Sequence, residues 1–325
     1  RGNLRPGGQT RFRRTIKTNR RGGIIMSLKV KEILEIGQRQ LEKHGIADAR
    51  LDSKLLYCHL MNITTTALLL EYQRTLPDEQ CDKYFALLDR RSSGEPLQYI
   101  TGTQEFMGLE FNVDENVLIP RQDTETMVED ALDIIERNQL RGEELPIKAK
   151  KDWDVLDLCC GSGAIGVSLA LLSKHTKVTC SDLSKGALGV ARGNAQKLGA
   201  KVTFKEGDLL EPFMGRFKNR KFDMIISNPP YIRSEVIQTL QPEVRDHEPM
   251  MALDGGETGL DFYKLIIESA DKCLKKDGIL IMEIGHDQKE DVTGLMEYTG
   301  RFVNVVCLKD LAQRDRIVCG IYSKK

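Results

Sequence analysis

From residue 152 to the end of the chain, short apolar runs alternate with helical patterns, and this alternation constrains the fold most tightly. The runs fall at 154–159, 177–181, 201–205, 222–227, 279–284, 302–307 and 315–322. Helical patterns separate most of them. The pattern predicts an α/β fold with a doubly wound, mainly parallel sheet, because each parallel strand needs a crossover to reach the next. Ligands in such sheets bind outside the carboxyl ends of the strands. Functional residues are therefore sought where the runs end.

The preceding residues read differently. Residues 28–91 are helical in pattern. Leu28, Val30, Ile33, Leu34, Ile36 and Leu41 form one stripe, and Gly45 closes it. Leu51, Leu55, Leu56 and Leu60 form a second. A third helix opens at Pro77-Asp78-Glu79 and carries Phe85, Leu87 and Leu88. Residues 95–120 alternate, with glycine punctuation, as a β-hairpin does. A further helix is expected over 125–137, with Asp123 or Thr124 as its N-cap. The expected division is a disordered basic extension over 1–25, a helical substrate-recognition domain over 26–94, a hairpin linker over 95–120 and a catalytic domain over 121–325.

The chain has 48 basic and 48 acidic residues, so its formal charge is zero. That zero is uneven. Residues 1–25 carry eight basic side chains and no acidic one, which leaves residues 26–325 at −8. The basic segment has no apolar periodicity and opens on Arg1. A nucleic-acid arm, a transit peptide and sequence translated ahead of a start at Met26 compete for it, and the last is favoured. Gly7-Gly8-Gln9 within it is read as a coincidence of a Gly-rich stretch. No run approaches ~18 apolar residues, so no transmembrane helix is expected. The eight cysteines form no CxxC pair, so neither a zinc site nor a redox dithiol is suggested, and a reducing cytoplasm is expected.

Gly161, Gly163 and Gly166 form G-x-G-x-x-G after the first run, and Asp182 ends the second. On paper this is a dinucleotide fingerprint, so a nicotinamide-dependent oxidoreductase stays open. Charge separates the readings. A pyrophosphate sits over a helix N-terminus, and Asp157 just ahead of the turn would oppose it. A methionine-derived sulfonium cofactor tolerates that carboxylate. Asp182 can accept from ribose hydroxyls in either case. Cys159 and Cys160 read as small fillers under the loop.

The fourth run ends in Asn228-Pro229-Pro230-Tyr231. Two prolines fix φ and remove two backbone donors. The carbonyls of Asn228 and Pro229, with the Asn228 side chain, offer acceptors to a planar –NH2 group, and Tyr231 offers a stacking face. Pro-Pro alone fits a stiff turn; the tetrapeptide after a glycine loop is more specific.

These two motifs resemble an S-adenosyl-L-methionine-dependent methyltransferase acting on an amino nitrogen. From Met26 onward the chain resembles the PrmC/HemK family of protein-(glutamine-N5) methyltransferases. The matching pieces include 102–106, Ile119-Pro120-Arg121 with Asp123-Thr124-Glu125, Glu248-Pro249, Ala252-Leu253-Asp254-Gly255-Gly256, Gly259-Leu260 and Arg314-Asp315-Arg316. The resemblance implies a seven-stranded Rossmann-like domain joined through a hairpin to a helical one. It implies methyl transfer to the Gln of Gly-Gly-Gln in class I peptide chain release factors, which modulates translation termination. It also implies a cofactor set of Asp157, Gly161, Gly163, Asp182, Asp208 and Asn228. Asp208 is where related enzymes contact the adenine. Phe106 and Arg121 are candidates to line the substrate cleft with the tetrapeptide. The family usually has Pro where this chain has Gln122, and Gly-Thr where it has Cys159-Cys160; both changes are read as compatible with the backbone.

An amide nitrogen is a poor nucleophile, and no general base is evident, so catalysis by orientation is expected. The nearest rival is a DNA adenine N6-methyltransferase, which offers the tetrapeptide the same two donors. DNA binding needs a positive surface, and residues 26–325 carry −8. A monomer without nucleic-acid, membrane or metal partners is expected.

Overall fold

The computed structural model describes residues 28–215 and 220–323. The basic extension, with Gly7-Gly8-Gln9, lies outside the described residues. Two compact units divide between Ser93 and Gly94.

The first unit contains α1 (Val30–Lys43), α2 (Ala49–Met61), α3 (Thr65–Glu71) and α4 (Asp78–Ser92). Helices α1, α2 and α4 pack on one another, with Ile33, Leu34 and Leu41 of α1, Leu56 and Tyr57 of α2 and Tyr84 and Leu88 of α4 all buried. The inward face of α2 is not the expected leucine stripe. Leu51 is 52% exposed, while Asp52 and Ser53 are buried. Hydrogen bonding decides this. Arg91 Nε donates to Asp52 Oδ2 at 2.7 Å, and Ser53 Oγ meets Tyr84 Oη at 2.7 Å. Gly37 of α1 gives them room, since a Cβ there would collide with Tyr84 Oη and Ser53 Oγ.

The second unit begins with α5 (Leu97–Thr101) and a hairpin of β1 (Thr103–Phe106) and β2 (Leu109–Asn112). Tyr99-Ile100-Thr101 is thus helical and only precedes the hairpin; Gly102, at φ 77°, ends the helix. Met107 and Gly108 both take positive φ, as a two-residue type I′ turn demands. Next comes α6 (Gln122–Arg137). It starts earlier than expected, with Arg121 at the N-cap and no capping side chain. Asp123 and Thr124 lie inside its first turn, where their side chains serve Arg316 and Glu283 instead. A short hairpin, β3 (Gln139–Leu140) and β4 (Glu143–Glu144), follows.

Then β5 (Trp153–Leu158), α7 (Ala164–Leu172), β6 (Thr176–Asp182), α8 (Lys185–Leu198), β7 (Val202–Glu206) and β8 (Phe222–Ser227) alternate as expected. Three single-turn helices follow: α9 (Ser234–Ile237), α10 (Pro242–Arg245) and α11 (Met250–Leu253). The chain ends with α12 (Asp261–Cys273), β9 (Leu274–Glu283), α13 (Lys289–Tyr298), β10 (Phe302–Lys309) and β11 (Asp315–Tyr322). The seven strands from β5 onward form one sheet in the order β10-β11-β9-β8-β5-β6-β7. Only β11 runs antiparallel to its neighbours.

Both faces of the sheet are covered. Met224 and Ile226 of β8 face a core shared with α6, α7 and α8, while Ile225 faces one shared with α12 and α13. That is why β8 reads as an apolar run interrupted only by Asp223 before its terminal Ser227. Phe106 and Phe111 of the first hairpin meet edge to face, 6.1 Å apart, inside the α6–α8 core. Asn194 of α8 ties that hairpin down through Asn112 N–H at 2.7 Å and Asn112 C=O at 3.0 Å. No helix among the described residues is long and apolar enough to cross a membrane.

Candidate active site

The carboxyl ends of β5, β6 and β8 surround a cavity of about 530 Å³. The turn after β5 forms one wall. Cys159, Gly161 and Gly163 all take positive φ, at 59°, 52° and 79°. Gly161 N–H donates to Asp182 Oδ2 at 2.9 Å, and Ser184 N–H to Asp182 Oδ1 at 2.8 Å. Asp182 is thereby locked at the end of β6, facing the cavity. Burial raises its pKa. Gly161 and Ser162 line the cavity, whereas Gly163 lies behind them as the N-cap of α7.

Asp157 does not reach the cavity, contrary to the sequence reading. It is wholly buried beneath the loop, and its Oδ2 accepts the Gly166 N–H at 2.8 Å. Loss of water lifts its pKa to about 7. Its role is to seat α7 against β5. Gly166 allows that closeness, because a Cβ there would strike Cys180 Sγ and lie 2.8 Å from Asp157 Oδ2.

Asn228 and Pro230 line the opposite wall. Ser227 Oγ donates to Leu158 C=O at 2.7 Å and so ties the end of β8 to β5. Pro229 is buried and does not line the wall. Tyr231 also stands outside the wall; its hydroxyl donates to Glu283 Oε1 at 3.2 Å. The expected stacking face is therefore not part of the wall. Behind the tetrapeptide, Ile232 N–H donates to Leu253 C=O at 3.0 Å and Gly255 N–H to Ile232 C=O at 2.8 Å. Gln288 Nε2 donates to the Tyr231 carbonyl at 3.0 Å. Gly255 lies so close that a Cβ there would sit 2.7 Å from Tyr231 Cα.

The remaining candidates gather at the same cavity. Asp208, exposed in the wall, caps no helix. Arg121 lines the wall and pairs with the buried Glu248 at 2.5 Å. Phe106 borders the cavity from within the core and is fully buried. Four contributors escaped the sequence reading as site residues. Thr124 lines the cavity, and Glu283, fully buried on β9, accepts its hydroxyl at 2.5 Å. Met250 and Met251 form part of the wall while 47% and 51% exposed. A carboxylate ending an apolar strand was the available signal for Glu283; for Thr124 the signals were its place near a helix start and within Asp123-Thr124-Glu125, one of the pieces that carry the resemblance.

Among the described residues of the wall, Arg121 is the only basic side chain, and Glu248 already neutralises it. Asp182, Asp208 and Asp254 also line the wall. That set of acceptors disfavours a pyrophosphate and suits a cationic ligand with hydroxyl donors.

Residues 32–102 match the family profile described as PrmC N-terminal domain, and residues 142–243 one described as Methyltransferase small domain. The chain is 40% identical over 291 residues to the release factor glutamine methyltransferase of Geobacter sulfurreducens, spanning 90% of this chain and 96% of that protein. It is 39% identical over 272 residues to the enzyme of the same name from Clostridium acetobutylicum, spanning 83% and 90%. Among solved structures, the hMettl16 catalytic domain in complex with MAT2A 3′UTR hairpin 6 aligns with a TM-score of 0.50 at 13% identity, over 77% of this chain and 84% of that one. The last likeness concerns the fold alone.

Proposed function

We infer that this chain, which belongs to the release factor glutamine methyltransferase family, transfers a methyl group from S-adenosyl-L-methionine to the side-chain amide nitrogen of a glutamine. The protein substrate is a peptide chain release factor, and the acceptor is the Gln of Gly-Gly-Gln in the class I factors. The single observation that carries this reading is the placement of Asn228 and Pro230 across one cavity from Gly161 and Asp182.

S-adenosyl-L-methionine supplies a methyl group on a positively charged sulfur. Gly161 and the small side chains beside it leave room for its methionine end. Asp182 stands where ribose hydroxyls can donate, and Asp208 borders the adenine side. The carboxylates of the wall favour the cation.

Asn228 Oδ1 and the Pro229 carbonyl would accept the two N–H bonds of the substrate amide. Holding both fixes the nitrogen lone pair toward the methyl carbon and favours positive charge growing on nitrogen. Orientation of this kind removes up to roughly 7–11 kcal/mol of barrier in the best cases. Phe106 and Arg121 would shape the glutamine side of the cavity. We assign substrate recognition to the helical unit, and read the enzyme as a cytoplasmic monomer without a nucleic-acid partner.

Methyl transfer to a purified release factor tests the reading, with a Gln→Ala version of its Gly-Gly-Gln as the control. Asn228→Ala is expected to lower kcat by about 100-fold or more while the cofactor Kd changes little. Equal losses in both would remove Asn228 from the chemistry. Transfer to DNA, with the release factor untouched, would favour an adenine methyltransferase instead.

A further inference from the structure

Asn228 can act as an acceptor only if its amide carries oxygen, not nitrogen, toward the substrate. The two ends of an amide have nearly the same shape, so something must choose between them. We propose that Thr124 and Glu283 are positioning residues that fix this choice, so that Asn228 presents Oδ1 to the substrate amide. The inference rests on the glutamine-methylation reading above.

The chain of contacts starts at Glu283, the last residue of β9. Two hydroxyls hydrogen-bond its carboxylate. Thr124 Oγ1 lies 2.5 Å from Oε2, and Tyr231 Oη lies 3.2 Å from Oε1. An ionised carboxylate only accepts, so both hydroxyls must donate to it. Thr124 has a single hydroxyl proton and spends it there. Its oxygen is left with lone pairs alone, and Asn228 Nδ2 lies 3.4 Å away. Only the –NH2 end of Asn228 is compatible with that oxygen. A flip would set Oδ1 against lone pairs and turn two donors toward a substrate group that is itself a double donor. At 3.4 Å the contact is weak, so its effect lies in its direction rather than its strength.

The surroundings hold the relay in this sense. Glu283 is 2% exposed and Thr124 4%. Glu283 does not line the cavity, so it meets the substrate only through Thr124 and Asn228. Burial raises the pKa of Glu283, while the Thr124 and Tyr231 hydroxyls and the nearby Arg316 pull the other way, toward the charged form. Arg316 is itself fixed by Asp310 at 3.3 Å, Asp123 at 3.3 Å and the Ile284 carbonyl at 3.3 Å. Asp123 and Thr124 sit side by side in the first turn of α6. That turn therefore serves both the arginine and the relay, in place of the helix cap its sequence suggests.

Glu283→Gln is the informative variant because it keeps the shape and adds a donor. Its amide can donate to Thr124 Oγ1, which frees the threonine proton for Asn228 Oδ1 and stabilises the flipped amide. With the full chain, a purified release factor and S-adenosyl-L-methionine, kcat is expected to fall by about tenfold or more, with the cofactor Kd within about twofold. Thr124→Val is expected to lower kcat in the same way, and Thr124→Ser to restore most of that loss. In an Asn228→Ala background, Glu283→Gln should add almost nothing, because the group it orients is gone. A merely structural role would give the same extra loss in both backgrounds, with cofactor binding falling in parallel, and would overturn the proposal. Wild-type kcat in Glu283→Gln, or in Thr124→Val should the former not fold, would also overturn it. If the wild-type chain itself fails to methylate the release factor, the parent reading falls and takes this one with it; a failed relay leaves wild-type transfer intact.

Discussion

Cys159 stands where the backbone asks for glycine. Its φ of 59° is left-handed, which costs an L-residue roughly 1–2 kcal/mol. The family's usual glycine avoids that cost, so the replacement is less neutral than the sequence alone suggests. Glycine gives back about 0.5–1 kcal/mol through its looser unfolded state. Cys159→Gly is therefore expected to raise the melting temperature by about 1–4 °C in a thermal melt; a lower melting temperature would refute the strain. Asp157 gives a second, pH-dependent test. Its pKa rises from 3.8 to about 7, chiefly through burial. Between those values the folded chain keeps a proton that the unfolded chain releases, so stability falls as pH rises through the window. The asparagine of Asp157→Asn stays neutral and can still accept the Gly166 N–H. Its melting temperature relative to wild type should improve between about pH 4 and pH 7. A constant difference would show that Asp157 does not titrate there. Sequence could place Asp157 next to the loop but not beneath it. A residue's neighbours along the chain do not reveal which side of a turn its side chain takes.

At the scale of elements, the strands were legible because β8 and its partners are buried on both faces. Burial writes itself into sequence as an apolar run, whatever lies across the sheet. The start of α6 was not legible. Asp123 and Thr124 are good N-caps by type, but Arg316 and Glu283, far along the chain, claim them. Coupling across 159 residues leaves no local trace. The glycine loop shows the opposite case. Its third glycine was read as part of a ligand motif, and the structure gives it a packing reason. Gly166→Ala would press α7 off β5 against Cys180 and Asp157. Overpacking of this sort costs about 1–3 kcal/mol. A lower melting temperature and weaker S-adenosyl-L-methionine binding by calorimetry are both expected, since α7 carries the loop. Adding Cys180→Ala should recover part of each. No recovery would place the strain elsewhere.

For the molecule as a whole, every residue lining the cavity lies between Phe106 and Phe262, inside the second unit. That unit also holds the entire seven-stranded sheet and both of its cores. Cofactor binding should therefore not depend on the helices of the first unit. Residues 94–325 expressed alone are expected to bind S-adenosyl-L-methionine with a Kd within about threefold of the whole chain, since no direct contact is removed. Methyl transfer to an intact release factor should respond differently. The helical unit has its own buried core, with Asp52 and Arg91 paired inside it, and none of its residues lines the cavity. If its task is to hold the protein substrate, the isolated second unit will show a raised KM for the release factor at a much less altered kcat. The loss is then one of binding that the ground and transition states share. An unchanged KM would remove the recognition role from the helices. A collapse of cofactor binding would mean that the second unit does not keep its structure alone.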